Sequence, residues 1–224
     1  MMSSDPPCIW MAGATLEIIH RLRQFREATG TELCDIPPGR GLGSSGALVA
    51  AVYGRVHREA DADLNRRKEL LAQIEGLLHG TSSGLDPLVC HEDHAVHLRS
   101  GRPNMVDKTC ILSYALADSA APRSTAVQAA AFAERMKVPA YARLIRERYL
   151  PLTARSIAAW SAGDSEHLWS CLIELSAFQL RYLDFAIPEP LRDLWRQGLA
   201  SEEKLYKSCG AGGGGYMLRF ERGP

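Results

Sequence analysis

Apolar residues recur at helical spacing along most of the chain, and this periodicity predicts a series of amphipathic helices. Their approximate ranges are 14–26, 47–57, 64–79, 124–137, 139–161, 164–183 and 188–199. In the third of these helices Leu70, Leu71 and Ile74 lie on the apolar face, and Glu75 lies beside that face rather than opposite it. Shorter segments predict strands at 32–36, 89–98, 109–117 and 216–220. Helices with a few interspersed strands indicate an α+β protein.

Composition and charge narrow the class of protein. The chain has 224 residues, of which 46% are hydrophobic, so it is long enough to bury a sizeable core. Its 26 basic and 26 acidic residues cancel, which gives no reason to expect nucleic acid or an anionic membrane as a partner. No apolar run has the length of a membrane span, and the N-terminus lacks the pattern of a secretory signal. Six cysteines without a CxxC pair are typical of reduced thiols, so we expect a cytoplasmic protein.

A glycine-rich loop precedes the second predicted helix. Its sequence Gly41-Leu42-Gly43-Ser44-Ser45-Gly46 satisfies G-x-G-x-x-G, but Pro37-Pro38 stands where a dinucleotide-binding loop would follow a buried strand. A Walker-type loop needs Lys-Ser/Thr after the last glycine, and this chain has Ala47-Leu48. Two interpretations remain, namely a helix start capped by Ser44 or Ser45, or an anion site in which backbone N–H groups bind phosphate.

The wider sequence around this loop resembles a known family. Residues 37–47, PPGRGLGSSGA, are similar to the PPxxGLGSS phosphate loop of the GHMP kinases, which are named for galactokinase, homoserine, mevalonate and phosphomevalonate kinases. Residues 208–215, SCGAGGGG, resemble the family's C-terminal glycine motif. Glu75 and the segment 79–86, HGTSSGLD, resemble the E…HGxxSGxD pattern of the mevalonate kinase-like branch. Residues 122–125, PRST, resemble its PRxT turn.

The resemblance implies a two-domain α+β GHMP kinase fold. Residues 1–100 would form part of the ribosomal-protein-S5-like, ATP-binding N-terminal domain, and residues 101–224 the ferredoxin-like, helical C-terminal domain. The family's GKxxLxGEH signature has no counterpart here, and no lysine of the chain lies in the context of the lysine that this segment supplies. We therefore expect an incomplete N-terminal domain, whose exposed sheet edge would favour self-association, with a homodimer as one form.

The resemblance also implies the site. The residues that would bind ATP are Pro38, Gly39, Gly41, Leu42, Gly43, Ser44, Ser45 and Gly46. Ser45 and Glu75 would hold Mg²⁺, which favours hard oxygen ligands. Asp86 would be the catalytic residue that takes or orients the proton of the attacking alcohol. The residues that would contact the substrate are Ser83, Gly84, Thr125, Gly212 and Gly213.

Several of these residues allow a simpler interpretation. Ser45 could be a helix cap, Glu75 a solvated helix charge, and Asp86 the end of a loop before Pro87. Thr81, Ser82 and Ser83 could all bond substrate or phosphate, and the sequence does not distinguish them. Ser124 and Thr125 could reach a substrate carboxylate or could cap the helix that follows.

A histidine-rich segment offers a metal site as a further alternative. His91, Asp93 and His97 would share one face of a strand, and His94 would point away, which is poor zinc geometry. A polar strand edge is the simpler interpretation.

Two functions follow from these observations. The first is ATP- and Mg²⁺-dependent phosphoryl transfer to the hydroxyl of a small alcohol, from mevalonate to 5-phosphomevalonate, with phosphomevalonate, homoserine or a sugar as alternative acceptors. The second is an inactive fragment of such a kinase that binds nucleotide weakly.

Overall fold

The computed structural model describes residues 43–56, 63–80, 82–107, 112–121 and 124–222. The helix predicted at 14–26, the strand at 32–36 and the loop residues Pro38, Gly39, Gly41 and Leu42 lie outside the described residues. The described residues form two compact units, which divide after Val106. Residue 100, where we placed the domain boundary, lies in a hairpin turn of the first unit. Within the described part, no helix combines the length and the apolar character needed to cross a membrane.

The first unit contains three helices and a hairpin. These elements are α1 (Ser44–Val56), α2 (Leu64–His79), α3 (Leu85–Glu92), β1 (Ala95–Arg99) and β2 (Arg102–Val106). The core joins Val49 and Tyr53 of α1, Leu71 of α2 and Leu88 of α3, all buried. An ion pair between Arg67 and Glu92, both nearly buried, ties α2 to the end of α3.

The strand predicted at 89–98 is wrong in its first half. Residues as far as Glu92 belong to α3, and the strand β1 begins only at Ala95. Gly84, with a left-handed φ of 71°, and Pro87 in the first turn start this helix, and burial of Leu88 outweighs the strand preference of Val89. The same correction applies to His91, which lies on a helix and packs edge-on against Tyr53, with the ring centroids 5.0 Å apart.

The unpredicted strand β2 completes an antiparallel hairpin in which Ala95 faces Val106. Ser100 and Gly101 connect the strands, with φ of 51° and 78°. Two consecutive positive φ values are typical of the type I′ turn, which matches the twist of a hairpin.

The described part of the second unit contains five α-helices and a three-stranded antiparallel sheet. The strands are β3 (Ser113–Asp118), β4 (Lys204–Ser208) and β5 (Tyr216–Glu221), in the order β3-β5-β4. The helices are α4 (Thr125–Met136), α5 (Pro139–Leu144), α6 (Leu150–Ser161), α7 (Ser165–Tyr182) and α8 (Glu189–Ser201). Alternate residues of β4 face opposite sides, so Leu205 packs in the core with α7 and Tyr206 packs with Trp195 of α8. Helices therefore cover both faces of the sheet at β4.

The helix predicted at 139–161 contains an irregular turn. A π-helical turn (Ile145–Tyr149) separates α5 from α6 without breaking the chain of helical residues. Pro151 has no N–H, and its ring would clash with the carbonyl group four residues earlier in a regular α-helix. The wider turn directly before the proline accommodates it.

A short 3₁₀ turn (Asp184–Ala186) after α7 is held by Arg135 of α4. The Arg135 guanidinium donates to Asp184 Oδ1 at 2.7 Å and to the Tyr182 carbonyl at 3.2 Å, and it stacks on the Phe185 ring. The hydrogen bond from Arg135 lowers the pKa of Asp184 below its ordinary value. This contact fixes the turn against the helix.

The pKa of Asp184 predicts a pH-dependent contribution to stability. Because folding lowers this pKa, the contribution is present above the unfolded-state value and is lost as the pH falls through the folded-state value. Arg135→Gln is expected to lower the free energy of unfolding at pH 7 by at most about 1 kcal/mol, since solvent screens the half-exposed pair. In urea unfolding experiments the deficit should shrink as the pH falls through the folded-state pKa of Asp184, which leaves the part that comes from the Tyr182 carbonyl and the Phe185 ring. Arg196→Gln, which breaks the more exposed pair with Asp193, is the control, and a deficit independent of pH would contradict the assignment.

Candidate active site

The start of α1 carries the described part of the glycine loop. Gly43 has a φ of 72°, a left-handed conformation that favours glycine, and its carbonyl accepts the first helical hydrogen bond from Ala47 N at 2.8 Å. Ser44 and Ser45 form the first turn of the helix. The N-terminal N–H groups of a helix and its dipole favour an anionic group at such a position.

Glu75 occupies a buried position on α2 and is 7% exposed. Its Oε1 accepts a hydrogen bond from Ser45 Oγ at 2.9 Å, and its Oε2 accepts one from Ser82 Oγ. The structure thus brings together the two residues that we expected to hold a metal, although 30 positions separate them in the chain. The interpretation of Glu75 as a solvated helix charge is wrong, because the side chain is buried.

Asp86 lies in the first turn of α3, which packs against the first turn of α1. A Cβ at Gly46 would lie 2.9 Å from the Asp86 carbonyl carbon and 2.9 Å from Pro87 N, so only glycine permits this approach of the two backbones. The Asp86 side chain is exposed. Ser83 Oγ accepts a hydrogen bond from Leu85 N at 3.3 Å, and Gly84 is buried against α2. The substrate contacts expected of Ser83 and Gly84 stay predictions.

Cys90 also lies near this site and was not among the expected residues. Burial raises the pKa of the Cys90 thiol, and the carboxylates of Asp86 and Glu75 raise it further. The thiol therefore lies within electrostatic reach of both acids and stays protonated at neutral pH. The one available sequence signal is that Cys90 is four positions after Asp86, which places both on one side of a helix. Because the sequence predicted a strand at 89–98, the helical spacing of Asp86 and Cys90 was not recognised.

The donor set around Glu75 fits a magnesium ion. Magnesium takes hard oxygen ligands, is usually held by one or two carboxylates, and keeps water or phosphate oxygens in its other positions. Glu75 and Ser45 supply a carboxylate and a hydroxyl side by side. Among the described residues no group of three His, Cys, Asp or Glu side chains could hold a metal, which gives the His91, His94 and His97 alternative no support.

In the second unit, the expected substrate residue Thr125 is the first residue of α4. Ser124 caps this helix, because its Oγ accepts a hydrogen bond from Val127 N at 3.4 Å. The capping alternative thus holds for Ser124. Thr125 is exposed, and its contact with a substrate stays a prediction.

The C-terminal glycine loop connects β4 to β5, and its backbone packs closely on its own unit. Gly213 N donates to the Ala186 carbonyl at 2.7 Å. A Cβ at Gly212 would lie 2.4 Å from that carbonyl oxygen, and a Cβ at Gly213 would lie 2.2 Å from the Gln128 amide nitrogen. Both glycines have positive φ and are required by this packing, so their substrate role stays a prediction. Just before the loop, burial lowers the pKa of Lys207, whose Nζ donates to the Ser208 carbonyl at 3.1 Å.

A groove of about 460 Å³ lies on the second unit beside α6 and α7, and Arg148, Arg155 and Phe178 are among its lining residues. It contains none of the expected site residues, and Arg155 in it pairs with Glu174 at 2.8 Å. The candidate site is therefore the region around Glu75 and Asp86.

The chain is similar in sequence to known proteins. Residues 15–91 match the family described as GHMP kinases N terminal domain. The mevalonate kinase of Archaeoglobus fulgidus is 28% identical over 218 residues, which cover 93% of this chain and 72% of that protein. The chain is therefore similar to GHMP kinases. The mevalonate kinase of Thermococcus gammatolerans is 38% identical over 69 residues, which are 30% of this chain and 21% of that protein. Both of these relatives are mevalonate kinases.

Solved structures confirm the fold. A Lin0012 protein from Listeria innocua matches with a TM-score of 0.64 and 16% identity, over 96% of this chain and 75% of that one. The mevalonate kinase of methicillin-resistant Staphylococcus aureus MRSA252 matches with a TM-score of 0.55 and 17% identity, over 100% of this chain and 77% of that one. The chain has the α+β GHMP kinase fold that the sequence predicted.

The contact at Gly46 predicts a loss of stability when this residue is replaced. Gly46→Ala places a methyl group against the Asp86–Pro87 backbone, which cannot move aside like a side chain, and is expected to cost about 1–3 kcal/mol. Gly54→Ala in the same helix is the matched control, because its Cβ would meet only the His91 ring at an ordinary 3.7 Å. Thermal unfolding should show a lower Tm for Gly46→Ala and an equal or higher Tm for Gly54→Ala. Equal Tm values for the two variants would show that α1 and α3 do not touch there.

Proposed function

We propose that the chain is an ATP- and Mg²⁺-dependent kinase that phosphorylates the hydroxyl of a small alcohol, and that the alcohol is mevalonate, which gives 5-phosphomevalonate. The observation that carries the proposal is the pair formed by Ser45 and Glu75, next to the contact between α1 and the helix turn that holds Asp86. The match of residues 15–91 to the N-terminal domain of GHMP kinases and the similarity to mevalonate kinases support the same reaction.

Each group of the candidate site would have its own role in phosphoryl transfer. N–H groups at the start of α1 would bind phosphate oxygens, and Ser45 with Glu75 would hold Mg²⁺. The bound ion would neutralise charge on the phosphates. Asp86 would accept the proton of the substrate hydroxyl. The hydroxyl oxygen would form a bond to the γ-phosphorus, while the bond from that phosphorus to the β–γ bridging oxygen breaks and ADP leaves. The exposure of Asp86 leaves its carboxylate accessible to an alcohol.

The second candidate is a chain that binds nucleotide without turnover. It is favoured by the position of Lys68, the single lysine between residues 43 and 106. Its Nζ donates to the Gly101 carbonyl at 3.2 Å, in the hairpin turn, so this lysine is committed to the hairpin. The proposed reaction must then proceed without a lysine from this part of the chain next to Asp86.

Turnover separates the two candidates. ADP release with Mg·ATP and mevalonate is expected for the wild-type chain, and Asp86→Asn should lower kcat by about 10²–10⁴-fold, because it removes a general base. Asp93→Asn is the matched control at the other end of α3, where the left-handed φ of 49° also suits asparagine. Wild-type turnover by Asp86→Asn would exclude Asp86 as the base. Nucleotide binding by a folded wild-type chain without turnover on mevalonate, phosphomevalonate, homoserine or a sugar would favour the second candidate.

The metal role of Glu75 has its own test. Addition of Mg²⁺ and ADP should raise the Tm of the wild-type chain, since a ligand that binds only the folded state stabilises it. Glu75→Gln keeps the shape of the side chain but removes its charge, so the Mg²⁺-dependent part of the shift should be lost. Glu69→Gln on the same helix is the control, because Glu69 is exposed and bonds only Asn65. The same Mg²⁺-dependent shift in Glu75→Gln as in the wild type would count against a metal at this carboxylate.

A further inference from the structure

Ser82 lies in the turn between α2 and α3 and bonds the carboxylate oxygen of Glu75 that Ser45 does not use. Its Oγ donates a hydrogen bond to Glu75 Oε2, while Ser45 Oγ donates to Oε1 at 2.9 Å. Each oxygen of the buried carboxylate therefore has its own hydroxyl partner. Because the terminal torsion of a glutamate is broad, two partners are needed to fix the plane of the carboxylate.

The same Ser82 oxygen also binds the backbone that leads to Asp86. Gly84 N donates to Ser82 Oγ at 2.9 Å. Gly84 is buried with a φ of 71°, and a Cβ there would lie 2.2 Å from the Lys68 carbonyl oxygen, so its backbone is closely confined. Asp86 follows two residues later, in the first turn of α3. A single hydroxyl thus links Glu75 to the start of the helix that carries Asp86.

We propose that Ser82 is a positioning residue that orients the Glu75 carboxylate toward a divalent cation and holds the turn that presents Asp86. This inference rests on the proposed function. A serine hydroxyl has one donor and two acceptor positions, so it donates to Glu75 and accepts from Gly84 at the same time. Since Ser82 uses Oε2, its bond persists when a cation binds at Oε1 and Ser45. Outer hydrogen bonds of this kind typically change metal affinity by about 10–100-fold.

The test compares hydroxyl and non-hydroxyl variants in the full chain. Free Mn²⁺ is measured by electron paramagnetic resonance during titration of the chain with ADP present, and the Mg²⁺ concentration for half-maximal ADP release is measured in parallel. Ser82→Ala is expected to weaken Mn²⁺ binding about tenfold and to raise the Mg²⁺ requirement. Ser82→Thr keeps the hydroxyl and should restore both values. Ser170→Ala on α7, whose hydroxyl bonds only the Glu166 carbonyl, should leave both unchanged.

Each outcome bears on the inference. If the wild type binds Mn²⁺ with ADP and Ser82→Ala binds it equally well, Ser82 does not orient the metal ligand, while the proposed function stands. A Ser82→Thr variant as weak as Ser82→Ala would also overturn the role of the hydroxyl. If the wild type binds no Mn²⁺ with ADP, the proposed function and the inference fail together.

A second variant covers the case in which Ser82→Ala does not fold. Ser82→Cys has a similar shape but a weak donor and acceptor, so it is expected to keep the Tm near that of the wild type and still to weaken Mn²⁺ binding. Wild-type Mn²⁺ affinity in a folded Ser82→Cys would overturn the inference.

Discussion

The candidate site depends on the burial of one carboxylate in the first unit. Glu75 lies one helical turn after Leu71, on the same side of α2, and Leu71 is fully buried. An acid therefore occupies a position that would stabilise the helix bundle better with an apolar side chain. Burying a carboxylate is costly unless it is hydrogen-bonded or paired with a cation, and two hydroxyls offset only part of that cost. The rest of the cost of burying the carboxylate is offset only if a cation binds next to it.

The sequence predicts most of the helices because their patterns are long and their ends are marked. The helix predicted at 64–79 is observed as Leu64–His79, with Asp63 as its N-cap and Gly80 after its last residue. Short elements were less predictable. Val89 belongs to a helix because Gly84 and Pro87 start one before it, and β4 follows α8 after a turn in which Glu202 has a φ of 54°. Such turns depend on backbone conformations that residue type alone does not reveal.

The residues of the candidate site that belong to sequence motifs could be predicted from the sequence. Resemblance paired Ser45 with Glu75 and named Asp86, and the structure gives the first two a direct hydrogen bond. The resemblance could not distinguish the role of Ser82 from that of Ser83, because the conformation of the turn decides which groups these adjacent side chains contact. In the structure Ser82 Oγ donates a hydrogen bond to Glu75, whereas Ser83 Oγ accepts one from Leu85 N. Likewise, the close approach at Gly46 follows from tertiary packing that no local pattern reports.

The proposed metal role of Glu75 agrees with the charges around this carboxylate. In the described part of the first unit, Arg67 pairs with Glu92 and Lys68 binds the hairpin carbonyl of Gly101. The described hydrogen bonds of Glu75 both come from hydroxyls, which bring no positive charge to the carboxylate. An arginine or lysine side chain paired with Glu75 would neutralise the carboxylate permanently and would leave no ligand for a metal. Hydroxyl partners hold the carboxylate in place, and under the proposed function they would leave its charge for a cation that binds with the nucleotide.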